Sequence, residues 1–69
     1  MGEILRTLRE SRGLRAAWVA EQLAISPSTL NRIETGRSDP SLLRLAAILD
    51  LYAANDDERS AVLAAGMAR

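Results

Sequence analysis

Ser28, Asn31 and Arg32 are hydrogen-bonding side chains at the spacing i, i+3 and i+4. Because such positions share one face of a helix, the three side chains would project together. An arginine can donate paired hydrogen bonds to O6 and N7 of guanine, an asparagine can make a matching pair with adenine, and a serine can contact a base or a phosphate. The cluster therefore predicts a surface that reads base edges; the alternative is a plain solvated helix face.

The residues before this cluster predict a short amphipathic helix. Its buried stripe recurs at i, i+3, i+4 and i+7, namely at Ala16, Val19, Ala20 and Leu23. We expect this helix to end near Ala24, so that a tight turn follows it.

The cluster itself lies on a second short helix, over residues 27–35. Ser26 is a candidate N-cap, and Pro27 suits the first helical position because its missing N–H costs nothing there. Leu30 and Ile33 would be the buried residues of this helix. Helices this short must pack together to be stable. The pair is a helix-turn-helix, whose second helix is narrow enough to enter the DNA major groove.

The chain resembles the Cro/cI-type (XRE) family of bacterial and phage regulators in the runs RTLRESRGL, VAEQLAISPSTLNRIETGRSDPS and LLRLAAILDLY. It is most similar to the actinobacterial branch, in which the domain often precedes an effector or partner domain. The resemblance implies an all-α, compact five-helix lambda-repressor-like DNA-binding domain, with the helix-turn-helix formed by helices two and three. Because it covers nearly the whole chain, we expect residues 1–69 to form a single such domain.

The resemblance also assigns roles on the DNA-facing surface. The residues expected to contact bases are Pro27, Ser28, Asn31 and Arg32, with Pro27 making an apolar contact. The residues expected to contact phosphate are Arg15, Ala16, Ala17, Ser26, Thr35, Arg37 and Ser38. Family members usually carry a phosphate-binding Gln at the position of Ala16, so backbone N–H groups and the charge of Arg15 would supply that contact here. The alternative for Arg37 is a loop arginine in water.

Arginine recurs every three residues along the first predicted helix, residues 3–12. Arg6 and Arg12 are expected on a solvated face. For Arg9 the resemblance implies a largely buried, structural ion pair with Glu34, since a planar guanidinium can bind a carboxylate through two hydrogen bonds.

Two residues depart from the family pattern. Ala24 stands where glycine is common, and a left-handed backbone there would strain an alanine by about 1 kcal/mol. Trp18 stands where an exposed polar residue is common. Its ring either lies across the first helix as a partly exposed lid or contacts another protein or domain.

The rest of the chain predicts two further helices. The fourth would bury Leu42, Leu45, Ala46 and Leu49, with Leu43 and Ile48 widening its apolar face. Either Asp39 or Ser41 would cap it. Asn55 is a candidate N-cap for the fifth helix, which we expect to run to about Ala65 and to stop at Gly66. In the family this end of the domain often contacts its two-fold mate. We therefore expect either a dimer contact or the monomer core to include Tyr52, Leu63 and Met67.

Composition excludes several classes of protein. The 69 residues include neither cysteine nor histidine, so a disulfide framework and an ordinary metal site are not available. No apolar run approaches the roughly 20 residues that span a bilayer, and no signal peptide is visible, so we expect a cytoplasmic protein without a membrane partner. No nucleophile stands beside a general base and there is no Gly-rich phosphate loop, so we expect neither enzymatic activity nor a cofactor.

The net charge of zero weighs against a nucleic-acid partner, but the charge is unevenly placed: residues 1–37 carry +2 and residues 38–69 carry −2. We therefore expect a sequence-specific DNA-binding regulator, a repressor that binds double-stranded operator DNA as a homodimer. The alternative is a protein-interaction module, or an antitoxin, that uses the same fold to bind a partner protein through Trp18 and the last helix.

Overall fold

The computed structural model describes residues 1–67, apart from the side chain of Met67. Over these residues the chain forms five helices and no strand, which confirms the predicted all-α, five-helix architecture. The helices are α1 (Gly2–Ser11), α2 (Ala16–Gln22), α3 (Pro27–Glu34), α4 (Leu42–Leu51) and α5 (Asp56–Met67). Helices α2 and α3 pack on each other as the helix-turn-helix, and α1 packs on both α3 and α5.

Serine side chains begin two of these helices. The Ser26 hydroxyl accepts a hydrogen bond from the backbone N–H of Thr29 at 3.1 Å, and Pro27 occupies the first turn of α3. The Ser41 hydroxyl accepts from the N–H of Arg44 at 3.1 Å, so Ser41 is the cap of α4. Each bond satisfies a backbone donor that has no partner within its own helix.

The start of α5 is a reciprocal capping box. The Asn55 side-chain oxygen accepts from the N–H of Glu58 at 2.8 Å, and the Glu58 carboxylate accepts from the N–H of Asn55 at 2.9 Å. The predicted cap at Asn55 is confirmed, and Glu58 completes it because its side chain reaches back over the first turn.

The core lies where the five helices meet. Its buried side chains are Leu5, Leu8, Val19, Ala20, Leu30, Ile33, Leu45, Ile48, Leu49, Tyr52, Ala54 and Val62. The methyl group of Ala20, with 1% exposure, allows α3 to approach α2 closely.

The predicted burial of α4 is wrong in part. Leu42 and Leu43 are 77% and 84% exposed, and Ala46 is also exposed. Of the residues expected to be buried, only Leu45, Ile48 and Leu49 reach the core. Because a domain of this size has little interior, it can cover one stripe of a leucine-rich helix but not its full apolar circumference.

One further expectation, about the end of α5, is wrong. Gly66 does not stop α5, which continues to Met67, because Gly66 keeps a helical backbone rather than a left-handed one. Arg12 is exposed, as expected, but its side chain is also bonded within the domain. Its guanidinium donates to both Glu58 carboxylate oxygens, at 2.6 and 3.0 Å, and to the Tyr52 carbonyl at 3.0 Å. Arg12 therefore joins the end of α1 to the ends of α4 and α5.

Glycine is required at the start of α1 because the last turn of α3 lies directly against it. A Cβ built on Gly2 would collide with the Ile33 carbonyl oxygen and would lie 2.6 Å from the Glu34 carbonyl oxygen. Both are backbone atoms, which cannot turn aside as a flexible side chain can. The absence of a side chain at Gly2 therefore allows α1 to pack directly against the end of α3.

We expect Gly2→Ala to lower the free energy of unfolding by about 1–3 kcal/mol, because a backbone segment must move to admit the methyl group. The matched control is Gly66→Ala, which also lies in a helix. There the added Cβ meets only the flexible Met1 sulfur, at 3.4 Å. The control should be neutral or slightly stabilising. Chemical denaturation measures both; an equal response of the two variants would contradict the role given to Gly2.

A second prediction concerns acid. Hydrogen bonds from Arg12, and then from the Asn55 backbone, hold the pKa of Glu58 below its ordinary value of 4.5. Since the folded pKa is the lower one, the stability that Glu58 contributes is present above pH 4.5 and is lost as pH falls through the folded pKa. We expect Glu58→Gln to unfold more readily than the parent at about pH 7 and to lose less stability on acidification to about pH 3. Asp57→Asn, in the same turn but outside the contact with Arg12, is the control. Parallel pH profiles for the parent and Glu58→Gln would refute the assignment.

Candidate nucleic-acid interface

Helix α3 presents the candidate base-contacting residues on its outer face. Leu30 and Ile33 anchor the helix, with exposures of 1% and 2%. The side chains that this leaves exposed are Pro27, Ser28, Asn31 and Arg32. The helix therefore brings the sequence-predicted residues together on one accessible surface. Arg32 and Asn31 keep the donors and acceptors that paired contacts to base edges require.

The turn before α3 sets its direction relative to α2. Ala24 has a left-handed backbone with φ of 56°, and the N–H of Ile25 donates to the Ala20 carbonyl at 3.0 Å. An alanine in this conformation carries strain of roughly 1 kcal/mol, which the surrounding packing must offset. The same conformation recurs between α4 and α5 at Ala53, with φ of 52°, which the sequence pattern did not reveal.

An ion pair holds the end of α3 against α1. The Arg9 Nε donates to one Glu34 oxygen at 2.8 Å and Nη2 donates to the other at 3.2 Å, while Nη1 donates to the Leu14 carbonyl at 2.9 Å. The two side chains are 13% and 6% exposed. The hydrogen bonds that Arg9 donates to the Glu34 carboxylate raise the pKa of Arg9 above its ordinary value. Glu34 is the buried charged residue of the described chain, and its two oxygens are each bonded to this arginine.

Tyr52 closes the core near this ion pair. Burial, and then the negative charge of Glu34, raises the pKa of the Tyr52 phenol to about 12. Among the described residues its hydroxyl is the buried side-chain polar atom without a hydrogen-bond partner. Tyr52 is 1% exposed, so of the two alternatives given for it, a dimer contact or the monomer core, it belongs to the monomer core. Leu63 remains accessible, at 43%, whereas the Met67 side chain lies outside the described residues.

The candidate phosphate contacts at the start of α2 consist of one charged side chain and the first helical N–H groups. Arg15 is exposed and occupies the N-cap position without a side-chain capping bond. Ala16 and Ala17 follow in the first turn, whose N–H groups have no partner within a helix. Trp18 is 43% exposed beside them, which leaves its ring partly accessible.

The candidates around α3 differ in how many of their donors are available. The Ser26 hydroxyl is engaged in capping and lies 2.9 Å from the Thr29 hydroxyl. The Thr35 hydroxyl donates to the Asn31 carbonyl at 2.8 Å, so its hydrogen is already used inside the helix. The N–H groups of Arg37 and Ser38 both donate to the Arg32 carbonyl. Beyond α3, the donor that remains available for a phosphate contact is chiefly the exposed guanidinium of Arg37.

Residues 1–67 contain no grouping of acidic, histidine or cysteine side chains able to hold a metal ion. Within the same range, every helix is too short or too polar to cross a membrane.

A comparison with protein families matches residues 1–62 to a family described as a helix-turn-helix domain. The match includes all of α1 to α4 and the first half of α5. No curated protein and no solved structure matches the chain significantly.

The buried ion pair yields a stability prediction. We expect Glu34→Gln to cost about 3–5 kcal/mol, because the Arg9 guanidinium then stays buried without its counter-charge. Glu10→Gln is the matched control, since Glu10 contacts Arg6 at 3.8 Å with both side chains more than half exposed. The control should change stability by less than about 0.5 kcal/mol. Urea denaturation of both variants decides the matter, and a loss below about 1 kcal/mol for Glu34→Gln would mean that the pair is dispensable.

Proposed function

Because the chain belongs to the helix-turn-helix domain family, we propose that it is a sequence-specific DNA-binding transcriptional regulator of the XRE type that inserts α3 into the major groove. The observation that carries the proposal is the exposed face of Ser28, Asn31 and Arg32 on a helix fixed from behind by Leu30 and Ile33. A rigidly held helix can read a sequence because its side chains arrive at the bases in one orientation.

Base recognition falls to two neighbouring side chains in this proposal. Arg32 donates two hydrogen bonds to O6 and N7 of a guanine, and Asn31 pairs with an adenine. Ser28 and Pro27, one turn earlier, add a polar and an apolar contact at the leading edge of the helix. Such contacts supply sequence preference, which phosphate contacts do not.

Phosphate contacts on both sides of α3 position the helix in the groove. Arg15 and the first N–H groups of α2 bind the backbone on one side, and Arg37 binds it on the other. Ser38, Ser26 and Thr35 contribute less, since the structure engages N–H or hydroxyl groups of each within the domain or its caps. The exposed guanidinium groups of Arg15, Arg32 and Arg37 give this face the sign that a phosphate backbone attracts.

We further propose that the regulator is a cytoplasmic repressor of the actinobacterial branch and acts as a homodimer. Two copies would place their α3 helices in successive major grooves about 34–36 Å apart, on a palindromic operator. Leu63 on α5, which is partly exposed, and Leu42 beside it offer apolar area for the dimer contact.

The proposal is tested by selecting bound duplexes from a random DNA pool. The selected duplex is then titrated against scrambled DNA at two salt concentrations. We expect a palindromic motif bound at least about a thousandfold more tightly than scrambled DNA at physiological salt. Weak binding that salt abolishes, with no enriched motif, would refute the proposal and would favour the protein-interaction function.

Substitution of two arginines distinguishes a base contact from a phosphate contact. Arg32→Ala should cost roughly 1–3 kcal/mol on the selected duplex and should relax the preference at one base position. Arg37→Ala should weaken binding to all sequences alike and should flatten the salt dependence. Titration of each variant against single-base variants of the operator measures both effects. An equal loss on every duplex for Arg32→Ala would remove it from base recognition.

A further inference from the structure

Two shallow depressions lie where α1 meets the recognition face of α3. The smaller, about 200 Å³, is lined by residues that include Asn31 and Pro27 of α3 and Ala16 of α2. The larger, about 500 Å³, lies beside Thr7 and Glu3 of α1. Both depressions share the side chains of Arg6, Glu34 and Thr35. Arg6 therefore stands on the ridge between them, next to a candidate base-contacting residue.

Most polar groups around the smaller depression are already engaged. Arg9 and Glu34 bind each other through two hydrogen bonds, and the Thr35 hydroxyl donates to the Asn31 carbonyl. Ala16 and Pro27 carry no side-chain donor. The cation that this leaves for a ligand entering from solvent is Arg6.

Arg6 is held only loosely by its own helix. Its Nε lies 3.8 Å from the Glu10 carboxylate, and both side chains are more than half exposed. A contact of that length between exposed side chains is weak, and an incoming phosphate can replace it. Glu3 lines the larger depression and opposes an anion there, so the smaller depression, beside Asn31, is the favourable side.

We propose that Arg6 is an additional phosphate-binding residue, which holds the DNA backbone against α1 when Asn31 contacts a base. The inference rests on the proposed function. Its physical basis is the fit between a planar guanidinium and two phosphate oxygens, at a position where the neighbouring Arg9 guanidinium and Thr35 hydroxyl are already bonded within the domain. Arg6 lies on α1 rather than on the helix that enters the groove, so it binds the backbone and adds affinity without sequence preference.

The test compares Arg6→Ala with Arg44→Ala on the duplex selected by the intact protein. Arg44 is an exposed arginine of α4 that lines neither depression, so its removal changes the net charge equally. For Arg6→Ala we expect the slope of log K against log salt to become shallower by about 0.9, the value of one phosphate contact. The ratio of affinities between 50 and 200 mM salt should then shrink about 3.5-fold. Arg44→Ala should keep the parental slope.

Arg6→Lys provides a second readout, because a lysine keeps the charge and should retain most of the slope. Thermal unfolding is measured in parallel, and all three variants should melt close to the parent since these side chains are exposed. A parental slope for Arg6→Ala, or an equal decrease for Arg44→Ala, would overturn the inference while leaving the proposed function intact. If the intact protein shows no preference for any duplex, the proposed function itself fails.

Discussion

A buried carboxylate is tolerable only when its charge is balanced and its oxygens are bonded, and that requirement at Glu34 organises this domain. Arg9 meets it from α1, and the same guanidinium also holds the Leu14 carbonyl in the loop that leads to α2. The side chain of Arg9 therefore connects α1, the end of α3 and the loop before α2. Because the pair lies at the end of α3, it fixes the tilt of the helix and hence the direction in which Asn31 and Arg32 point.

Helix α1 is the element to which α3 and the ends of α4 and α5 are attached. Gly2 lets its first turn lie against the backbone of α3, Arg9 grips the end of α3, and Arg12 joins its last turn to Tyr52 and Glu58. Of the three arginines in and directly after this helix, Arg9 and Arg12 bind within the domain and Arg6 is exposed to solvent. A protein with a net charge of zero can still offer a positive local surface where exposed arginines such as Arg15, Arg32 and Arg37 occur close to the candidate interface.

What the sequence predicted well was local. The five helices follow from apolar periodicity, and the caps at Ser26 and Asn55 follow from residue types a few positions apart. Burial of α4 was harder, because its leucines surround the helix and only tertiary packing selects which of them are covered. The hydrogen bonds of Arg12 were missed for a related reason, since its partners Tyr52 and Glu58 lie 40 and 46 residues away along the chain. Arg9 and Glu34 are 25 residues apart in sequence, and family resemblance alone suggested their pairing.

The left-handed alanine between α2 and α3 has a consequence for association. Ala24 has fewer accessible backbone states than a glycine at the same position would have. The N–H groups of Ala24 and Ile25 are also bonded to carbonyls of α2. The angle between the two helices is thus restricted before any ligand arrives. Ordering a flexible element on binding subtracts from affinity, and a hinge that is already immobile avoids that loss. The turn therefore loses its conformational entropy when the domain folds, and binding of a ligand does not have to order it again.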